Sequence, residues 1–525
     1  MSTLDTSSGD SYDDADVDLR HAAVGGAIWS AAQRWTSKLT QFATFLILAR
    51  LLHPQQFGLV ALASFFIGLT AVFVDMGITS YIVQRESLGA RTLETAFWSS
   101  LVVGASLTAI AQVVAPFIAD LYHQPQLTAV LRVLSLTFVL TALSGAQTAI
   151  LQRRLRFRSL AIRSLAATLV AAAVAISLAY AGAGVWSLVA QTLTSSGVGA
   201  IVLWQVSDWR PSFSFSRSDF REMVVYGMHV AGMQVLGYFR AQGADLIIGS
   251  MIGTTALGVF TVANKMLRSV LDMFTSVILV VAGPIFARVK SDRGQLTRAY
   301  MHAMSYSVAM TAPVLLVLGI NSPTLVPQVF GHQWQESGNL ARILCVGAIT
   351  GALVYFDRTL LLMVNRAKAE LGVTAVAMVT HLGVIAATAP FGLHFLVVSL
   401  AIRNLLFWPF RLLVARRYAG IDVRAVLVPV VRVLVAAVLA AAVPLAGYLL
   451  VHGLSPLLLA LASGVVMLPV YGFALFVIAR ESYAEFTATA SQAAARLRRR
   501  RPGKHRGPGP AAPQRLESAA AVGRE

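Results

Sequence analysis

Residues 46–63 read LILARLLHPQQFGLVALA, and residues 246–263 read LIIGSMIGTTALGVFTVA. At this offset of 200 positions Leu46 pairs with Leu246, Gly58 with Gly258 and Ala63 with Ala263. In each copy an apolar run ends at a short turn and a second apolar run begins at the glycine. A weaker echo pairs Arg132 with Arg342. Chance similarity between apolar helices competes as an explanation of the alignment alone. The matching topology weighs against chance, because both copies cross a membrane in the same direction. Repeats of this size are common in transporters, whose two halves rock around a central site.

The rest of the chain fits that setting. Of 525 residues, 57% are hydrophobic and only 13% are charged, against about 25% charged in soluble domains. So few charges cannot build a water-facing surface, so much of the surface faces lipid. A membrane helix needs about 20 mostly apolar residues. Segments of that kind lie near 25–52, 57–79, 93–118, 127–150, 160–181, 184–205, 222–242, 246–286, 299–320, 338–363, 371–390, 393–415, 425–451 and 455–479. The stretch 246–286 is too long for one span, and its first part, up to about Gly253, extends the preceding helix or forms its loop. The expected fold is all-α: a polytopic membrane protein of about 14 transmembrane helices, in two pseudo-symmetric six-helix lobes plus two C-terminal helices. The lobes cover about 21–206 and 207–418, and the last two helices lie within 419–480.

Charge in the loops fixes the orientation. Alternate loops hold Arg85 and Arg91; Arg153, Arg154, Arg156, Arg158 and Arg163; Arg210, Arg217 and Arg221; Arg288, Lys290, Arg293 and Arg298; Arg366 and Lys368; Arg416, Arg417 and Arg424. The loops between them, near 53–56, 119–126, 182–183, 243–255, 321–337, 391–392 and 452–454, hold no Lys or Arg. Positive loops stay in the cytoplasm, which predicts a multi-pass protein of the cytoplasmic (inner) membrane with both termini inside. The net charge of +18 therefore reflects topology, and no nucleic-acid partner is expected. Residues 1–20 carry six Asp (Asp5, Asp10, Asp13, Asp14, Asp16 and Asp18), the reverse of the basic start of a cleavable signal. That stretch, and the basic stretch 481–525, read as disordered cytoplasmic tails. The basic tail is suited to touch anionic headgroups. The single cysteine, Cys345, excludes an internal disulfide and a Cys-based metal site.

A charge at the bilayer centre costs at least about 2.5–3.5 kcal/mol and usually faces a cavity or a partner. Arg34, Lys38 and Gln41 share one face of the first helix. Arg34 lies about nine residues, or about 13 Å, inside its cytoplasmic end. Lys265, Arg268 and Asp272 share one face of the eighth helix near mid-span. Gln234, the repeat partner of Arg34, and Arg240 lie on the seventh. Asp357 and Arg358 lie in the inner half of the tenth, His381 near the middle of the eleventh, and Arg403 near the middle of the twelfth. Arg50, Asp75 and Arg358 sit near helix ends, where snorkelling or a structural pair explains them. Arg268 and Asp272 also read as a simple i, i+4 pair. The deeper cations, Arg34, Lys38, Lys265 and Arg403, favour a central cavity of net positive charge, suited to an anionic substrate and, through Arg, to phosphate. On this reading Arg34, Lys38, Gln41, Gln234, Arg240, Lys265, Arg268 and Arg403 line the cavity. Asp75, Asp272, Asp357 and His381 are candidate ion-coupling groups. Gly227, Gly232 and Gly237 in the seventh helix permit bending or close helix packing.

No nucleotide-binding loop, zinc helix or nucleophile elbow is present. The outside loops are short, the longest about 17 residues near 321–337, and offer no paired carboxylates. An enzyme is not expected, nor a cofactor or a metal.

Four stretches carry a family resemblance: FLILARLLHPQQFGLVALASFFIGLTAVFVDMGITSYIVQRES from residue 45, AILQRRLRFRSLAIRS from 149, YFRAQGADLIIGSMIGTTALGVFTVANKM from 238 and VPQVFGHQW from 326. Over roughly 22–480 the chain resembles Wzx-type oligosaccharide flippases, the polysaccharide-transporter branch of the multidrug/oligosaccharidyl-lipid/polysaccharide exporter superfamily. The resemblance implies a V-shaped, two-lobed monomer without ATP hydrolysis. It would move polyprenyl-diphosphate-linked oligosaccharide to the outer leaflet for exopolysaccharide, O-antigen (lipopolysaccharide) or similar polymers. The expected partners are that lipid-linked oligosaccharide, membrane lipids, and the polymerase and chain-length proteins of the same pathway. In the lipid II flippase branch two extra helices form a lipid-tail groove, a role open to the last two helices here. Three rival readings remain, one of them a scaffold with no transport activity, for which the intramembrane charges would be an unexplained cost. A small-molecule antiporter of the same superfamily would want a more acidic or aromatic cavity. A polymerase or glycosyltransferase of the pathway would want larger outside loops.

Overall fold

The computed structural model describes residues 33, 35–75, 77–85, 89–289, 292–354, 356–450 and 455–480. Arg34 and both expected tails lie outside the described residues. Hydrocarbon offers no partner to a backbone N–H or C=O, so an apolar chain in lipid satisfies them within helices. The described residues accordingly contain no strand.

In order the helices are α1 (35–51), α2 (Pro54–Asp75), α3 (Ile78–Gln84), α4 (Ala90–Leu121), α5 (Pro125–Arg153), α6 (Phe157–Tyr180), α7 (Val185–Val206), α8 (Arg217–Met251) and α9 (Thr254–Val289). There follow α10 (Arg293–Phe330), α11 (Gln335–Val354), α12 (Asp357–Met363), α13 (Ala367–Thr388), α14 (Leu393–Ala419), α15 (Val423–Ala440), α16 (Ala442–Leu450) and α17 (Pro456–Ile478). Among the described residues ten helices, counting α2–α3 and α15–α16 as continuous, are long and apolar enough to cross a membrane. The chain is an all-α, multi-pass membrane protein. The other expected segments fall on α1, α8, α9 and α11–α12. These are helical too, and they carry Lys38, Arg240, Lys265, Arg268 and Asp357.

Connections alternate between two ends of the bundle. Arg85, Arg154, Arg156, Arg210, Arg366 and Arg416 fall at one, here termed the basic end. Local chemistry sets several helix starts there. Asp292 accepts from the backbone N–H of Gly294 and Gln295 and opens α10; the Gln295 N–H holds its carboxyl below the usual carboxylate range. Asp422 caps α15 in the same way. Ser455 caps α17 at the opposite end.

Two expected loops are largely helix, the first because residues up to Met251 extend the preceding helix, one of the two readings given for that stretch. The 243–255 loop shrinks to a turn at Ile252 and Gly253, because α8 runs on to Met251. Gly253 takes φ +110°, which a side chain would resist. The 321–337 loop, expected as the longest outside, is largely helix. The α10 helix continues through Pro313, Pro323 and Pro327 to Phe330. Proline is tolerated in membrane helices where neighbours satisfy the freed backbone groups. Here the Ser322 hydroxyl lies 2.9 Å from the carbonyls of Gly319 and Gly338, tying the proline-rich turn to α11.

The first half packs α4 on α5 and α6 on α7, and the second packs α10 on α11 and α11 on α14. Helices α15 and α17 lie against α10, burying Val430, Val433 and Met467. Cys345 is free and buried against Gly319. The halves join most closely where α2 crosses α9, and there the repeat acquires a physical meaning. A Cβ added to Gly58 would lie 1.7 Å from the Thr254 carbonyl oxygen, and one added to Gly258 would lie 1.8 Å from that of Pro54. The two glycines make one reciprocal contact, each letting the other helix's backbone approach. Its dimensions forbid any side chain.

Candidate substrate cavity

The seal at the opposite end is the roof of the cavity. Trp334, fully buried in the short turn between α10 and α11, donates from Nε1 to the Ala49 carbonyl on α1 at 2.6 Å. Gln333 donates to the carbonyls of Ala49 and Arg50 at 3.3 and 3.2 Å. Phe45 lies 6.0 Å from Phe57 and 5.5 Å from Phe330, and Phe57 lies 5.3 Å from Trp334, centroid to centroid. Four rings from α1, α2, the end of α10 and the turn that follows it thus close the gap between the halves. Aromatic pairs contribute about 0.5–1.5 kcal/mol beyond their buried area. Replacing Trp334 with Phe keeps most of the packing and removes the shorter of the two side-chain hydrogen bonds to the Ala49 carbonyl, leaving that from Gln333. The expected loss is about 1 kcal/mol, read as a lower melting temperature of the detergent-solubilised protein.

Beneath the seal is a cavity of about 330 Å³, at the small end of ligand pockets. Gln41, Phe45 and Leu48 line it from α1, Phe57 from α2, Thr168 and Ala171 from α6, and Leu188, Gln191, Thr192, Ser195 and Ser196 from α7. Lys265 reaches in from α9, with Nζ 4.4 Å from the centre of the Phe45 ring. Such a stacked ammonium is stabilised by about 0.5–2 kcal/mol. The α7 residues recur at helical spacing and form one stripe.

The expected cavity residues divide into groups. Gln41 and Lys265 line this cavity. Lys38 is exposed one turn further along the same α1 stripe towards the basic end. Lys265, Arg268 and Asp272 are all exposed, so this face of α9 is open and not packed. Arg268 also reaches α8, donating to the Ala241 carbonyl at 3.2 Å. Gln234 and Arg240 are exposed on α8, where Gly232 and Gly237 face open space. His381, on α13, lies within electrostatic reach of Arg403, Arg268 and Arg240. Arg403 is committed locally. It donates to the Ala377 carbonyl at 2.6 Å, to Thr380 Oγ1 at 2.9 Å and to Asn404 at 3.0 Å, and stacks on Phe407. It borders a second, largely apolar groove of about 450 Å³ between α13 and α14.

The acidic candidates differ in setting. Asp75 accepts from the Thr79 hydroxyl at 2.7 Å and its N–H at 3.4 Å, capping α3. Asp272 is exposed on α9. Asp357 is buried in a network: it accepts from Arg411 Nε at 2.8 Å and from the Tyr300 hydroxyl. Arg411 also donates to Glu370 at 3.2 Å. Arg411, Asp357 and Glu370 are 7%, 1% and 6% exposed. The network fastens α10, α12, α13 and α14 together near the basic end.

Sequence reasoning missed Arg411, Glu370 and Tyr300, and also Asp245, which the longer α8 places inside a helix with Gln242 donating to it at 3.2 Å. It missed the polar wall of α7 as well. There the signal was present: QTLTSSG at 191–197 sets a run of polar residues in an otherwise apolar helix.

The comparisons with known proteins agree with this architecture. The profile of a family described as "Polysaccharide biosynthesis protein" matches residues 47–339. The chain is 27% identical over 306 residues to the succinoglycan biosynthesis transport protein ExoT of Rhizobium meliloti, covering 58% of this chain and 62% of that protein. The matched stretch thus spans less than two thirds of that relative. It is 23% identical over 332 residues to the lipopolysaccharide biosynthesis protein WzxC of Escherichia coli, covering 63% of this chain and 68% of that one. In fold it is similar to the lipid II flippase MurJ in an inward closed conformation, with TM-score 0.71 and 11% identity over 86% of this chain and 99% of that one. An inward-facing multidrug transporter of the MATE family gives TM-score 0.58 at 18% identity, over 73% of this chain and 94% of that one. With the family profile covering more than half of its length, the chain belongs to the polysaccharide biosynthesis protein family.

Proposed function

We propose that the protein is a flippase that moves a polyprenyl-diphosphate-linked oligosaccharide across the cytoplasmic membrane by alternating access. The observation that carries this reading is the open cationic face of α9, Lys265 and Arg268, meeting a polar cavity that is roofed at one end. A diphosphate sugar is too polar to enter hydrocarbon unaided. A membrane-buried cavity with exposed cations offers it an alternative path while the polyprenyl tail stays in lipid. The cations give the phosphates charge-assisted partners, and Lys38 and Arg240 extend the cationic surface on α1 and α8. Asp75, Asp272, Asp357 and His381 stay candidates for ion coupling. In this reading the basic end faces the cytoplasm with both termini, following the loop charges. Residues 21–206 and 207–418 act as two rocking lobes, with 419–480 attached to the second. No catalytic step is needed. Polymerase and chain-length proteins would act on the delivered unit, and the carrier works as a monomer.

Neutralising Lys265 and Arg268 together, each to Met, is the direct test. Charge-assisted hydrogen bonds contribute about 1.5–3 kcal/mol each, so export should fall by at least about tenfold per residue while the protein remains in the membrane. The readout is polymer yield, together with the leaflet in which the lipid-linked oligosaccharide accumulates, probed with a membrane-impermeant sugar reagent. Accumulation on the inner face is the expected result. Single units accumulating on the outer face would point to a polymerase. Normal yield from a well-expressed double variant would overturn the cationic-cavity mechanism.

A further inference from the structure

The cavity is chemically lopsided. On the α6 and α7 side it presents Thr168, Gln191, Thr192, Ser195 and Ser196, and no charge. On the α9 side it presents the ammonium of Lys265. A bare phosphate-binding pocket would not need an uncharged wall of this kind, since phosphate oxygens only accept. A seat for cationic drugs would want a carboxylate, and none lines the cavity. A lipid tail would want no polar group at all.

The wall instead offers both senses of hydrogen bond. Thr168 and Thr192 spend their hydroxyl protons on their own helices, at the Ser164 and Leu188 carbonyls, 2.8 and 3.1 Å away. Their oxygens are left as acceptors. Gln191, Ser195 and Ser196 are half-buried. They keep amide and hydroxyl donors as well as acceptors, with no hydrogen bond given to them among the described residues. A surface of donors and acceptors without charge matches the hydroxyls of a sugar, each of which both donates and accepts.

We infer that the α6–α7 wall is a sugar-recognition subsite, which reads the glycan next to the diphosphate and orients the headgroup with its sugar towards the first half and its phosphates towards Lys265 on α9. This rests on the transport reading above and adds to it the residues that set substrate preference. Selectivity for the glycan and attraction of the phosphates are then separate properties, held by different halves of the chain.

The test uses the full-length purified protein and two probes. One is bare undecaprenyl diphosphate. The other is the pool of polyprenyl-diphosphate-linked oligosaccharides extracted from cells lacking the gene. Binding of both is measured for wild type, for Gln191→Leu/Ser195→Ala, and for the milder Gln191→Ala, with size-exclusion profiles checking that each variant is folded. The expected result is a wild-type preference for the glycosylated lipid that falls at least about tenfold in the double variant, the scale of two or three neutral hydrogen bonds, and by a smaller factor in Gln191→Ala. A preference unchanged in both variants would overturn the subsite, as would a wild type that binds bare undecaprenyl diphosphate equally well; either leaves the transport reading standing. A wild type that binds neither lipid would remove the transport reading, and the subsite with it.

Discussion

Replacing Arg411 with Met should destabilise the protein by about 3–5 kcal/mol, the usual cost of removing one partner from a buried ion pair. Arg411 is the cation between Asp357 and Glu370, at 2.8 and 3.2 Å, and all three side chains are buried. Truncating it leaves two carboxylates close together in a low dielectric, with the Tyr300 and Thr374 hydroxyls as their remaining partners. The measurement is thermal unfolding of the detergent-solubilised protein. The triple variant Arg411→Met/Asp357→Asn/Glu370→Gln removes the stranded charge and should recover most of the loss, because apolar or neutral replacement of a whole buried network is often nearly neutral. A single variant that melts like wild type would mean that water reaches the carboxylates. A triple variant as unstable as the single would mean that shape, and not charge, holds α12 and α13 in place.

The second large effect is expected where α2 crosses α9. Even Ala at Gly58 or Gly258 brings a methyl group within 2 Å of a backbone carbonyl. A carbonyl in a helix cannot swing aside as a side chain can, so the two helices must separate. Overpacking of this kind costs at least about 1–3 kcal/mol, equivalent to roughly a 5- to 150-fold shift between states of the seal. The variants should therefore favour a form open at the end opposite the basic loops, and export should drop in proportion. A cysteine placed at Leu48, which is buried and lines the cavity, reports this directly in a background lacking Cys345. It should resist an impermeant maleimide applied outside when Gly58 is intact and react at least about tenfold faster in Gly58→Ala. Equal labelling with normal export would show that α2 and α9 tilt to accommodate the methyl without parting.

The reach of sequence reading follows from the range of each interaction. Gly58 and Gly258 were legible because a backbone-to-backbone contact dictates residue identity, and the two copies carry the same dictation. The open face of α9 was legible because Lys265, Arg268 and Asp272 lie within two turns of one helix. The basic loops were legible because their charge is set by topology, not by packing. The Arg411 network was not, since its members lie 41, 54 and 111 positions away (Glu370, Asp357 and Tyr300) and only the fold brings them together. The α7 wall was hidden for another reason. Many serine and threonine hydroxyls in this bundle bond to their own helix, as Thr44, Thr70 and Thr148 do, so a polar stripe in lipid does not by itself announce a cavity. The continuation of α10 past Pro323 and Pro327 was masked because the carbonyls these prolines free, on Gly319 and Pro323, are taken up by the Ser322 hydroxyl and by the Gln335 side chain of α11.

The Phe45 ring has two duties: its face holds the Lys265 ammonium, and its edges pack among the rings of the roof. In the proposed transport cycle the ring would serve between cargoes as a resident counter-group for the Lys265 ammonium. A guest that draws the ammonium away releases up to about 2 kcal/mol of that stacking and leaves one ring of the roof with a partner fewer. On the proposed function, loading and roof tightness would thereby be linked through one side chain. Whatever free energy the guest adds by holding the ammonium off the ring must reappear, with opposite sign, in how firmly the roof stays shut.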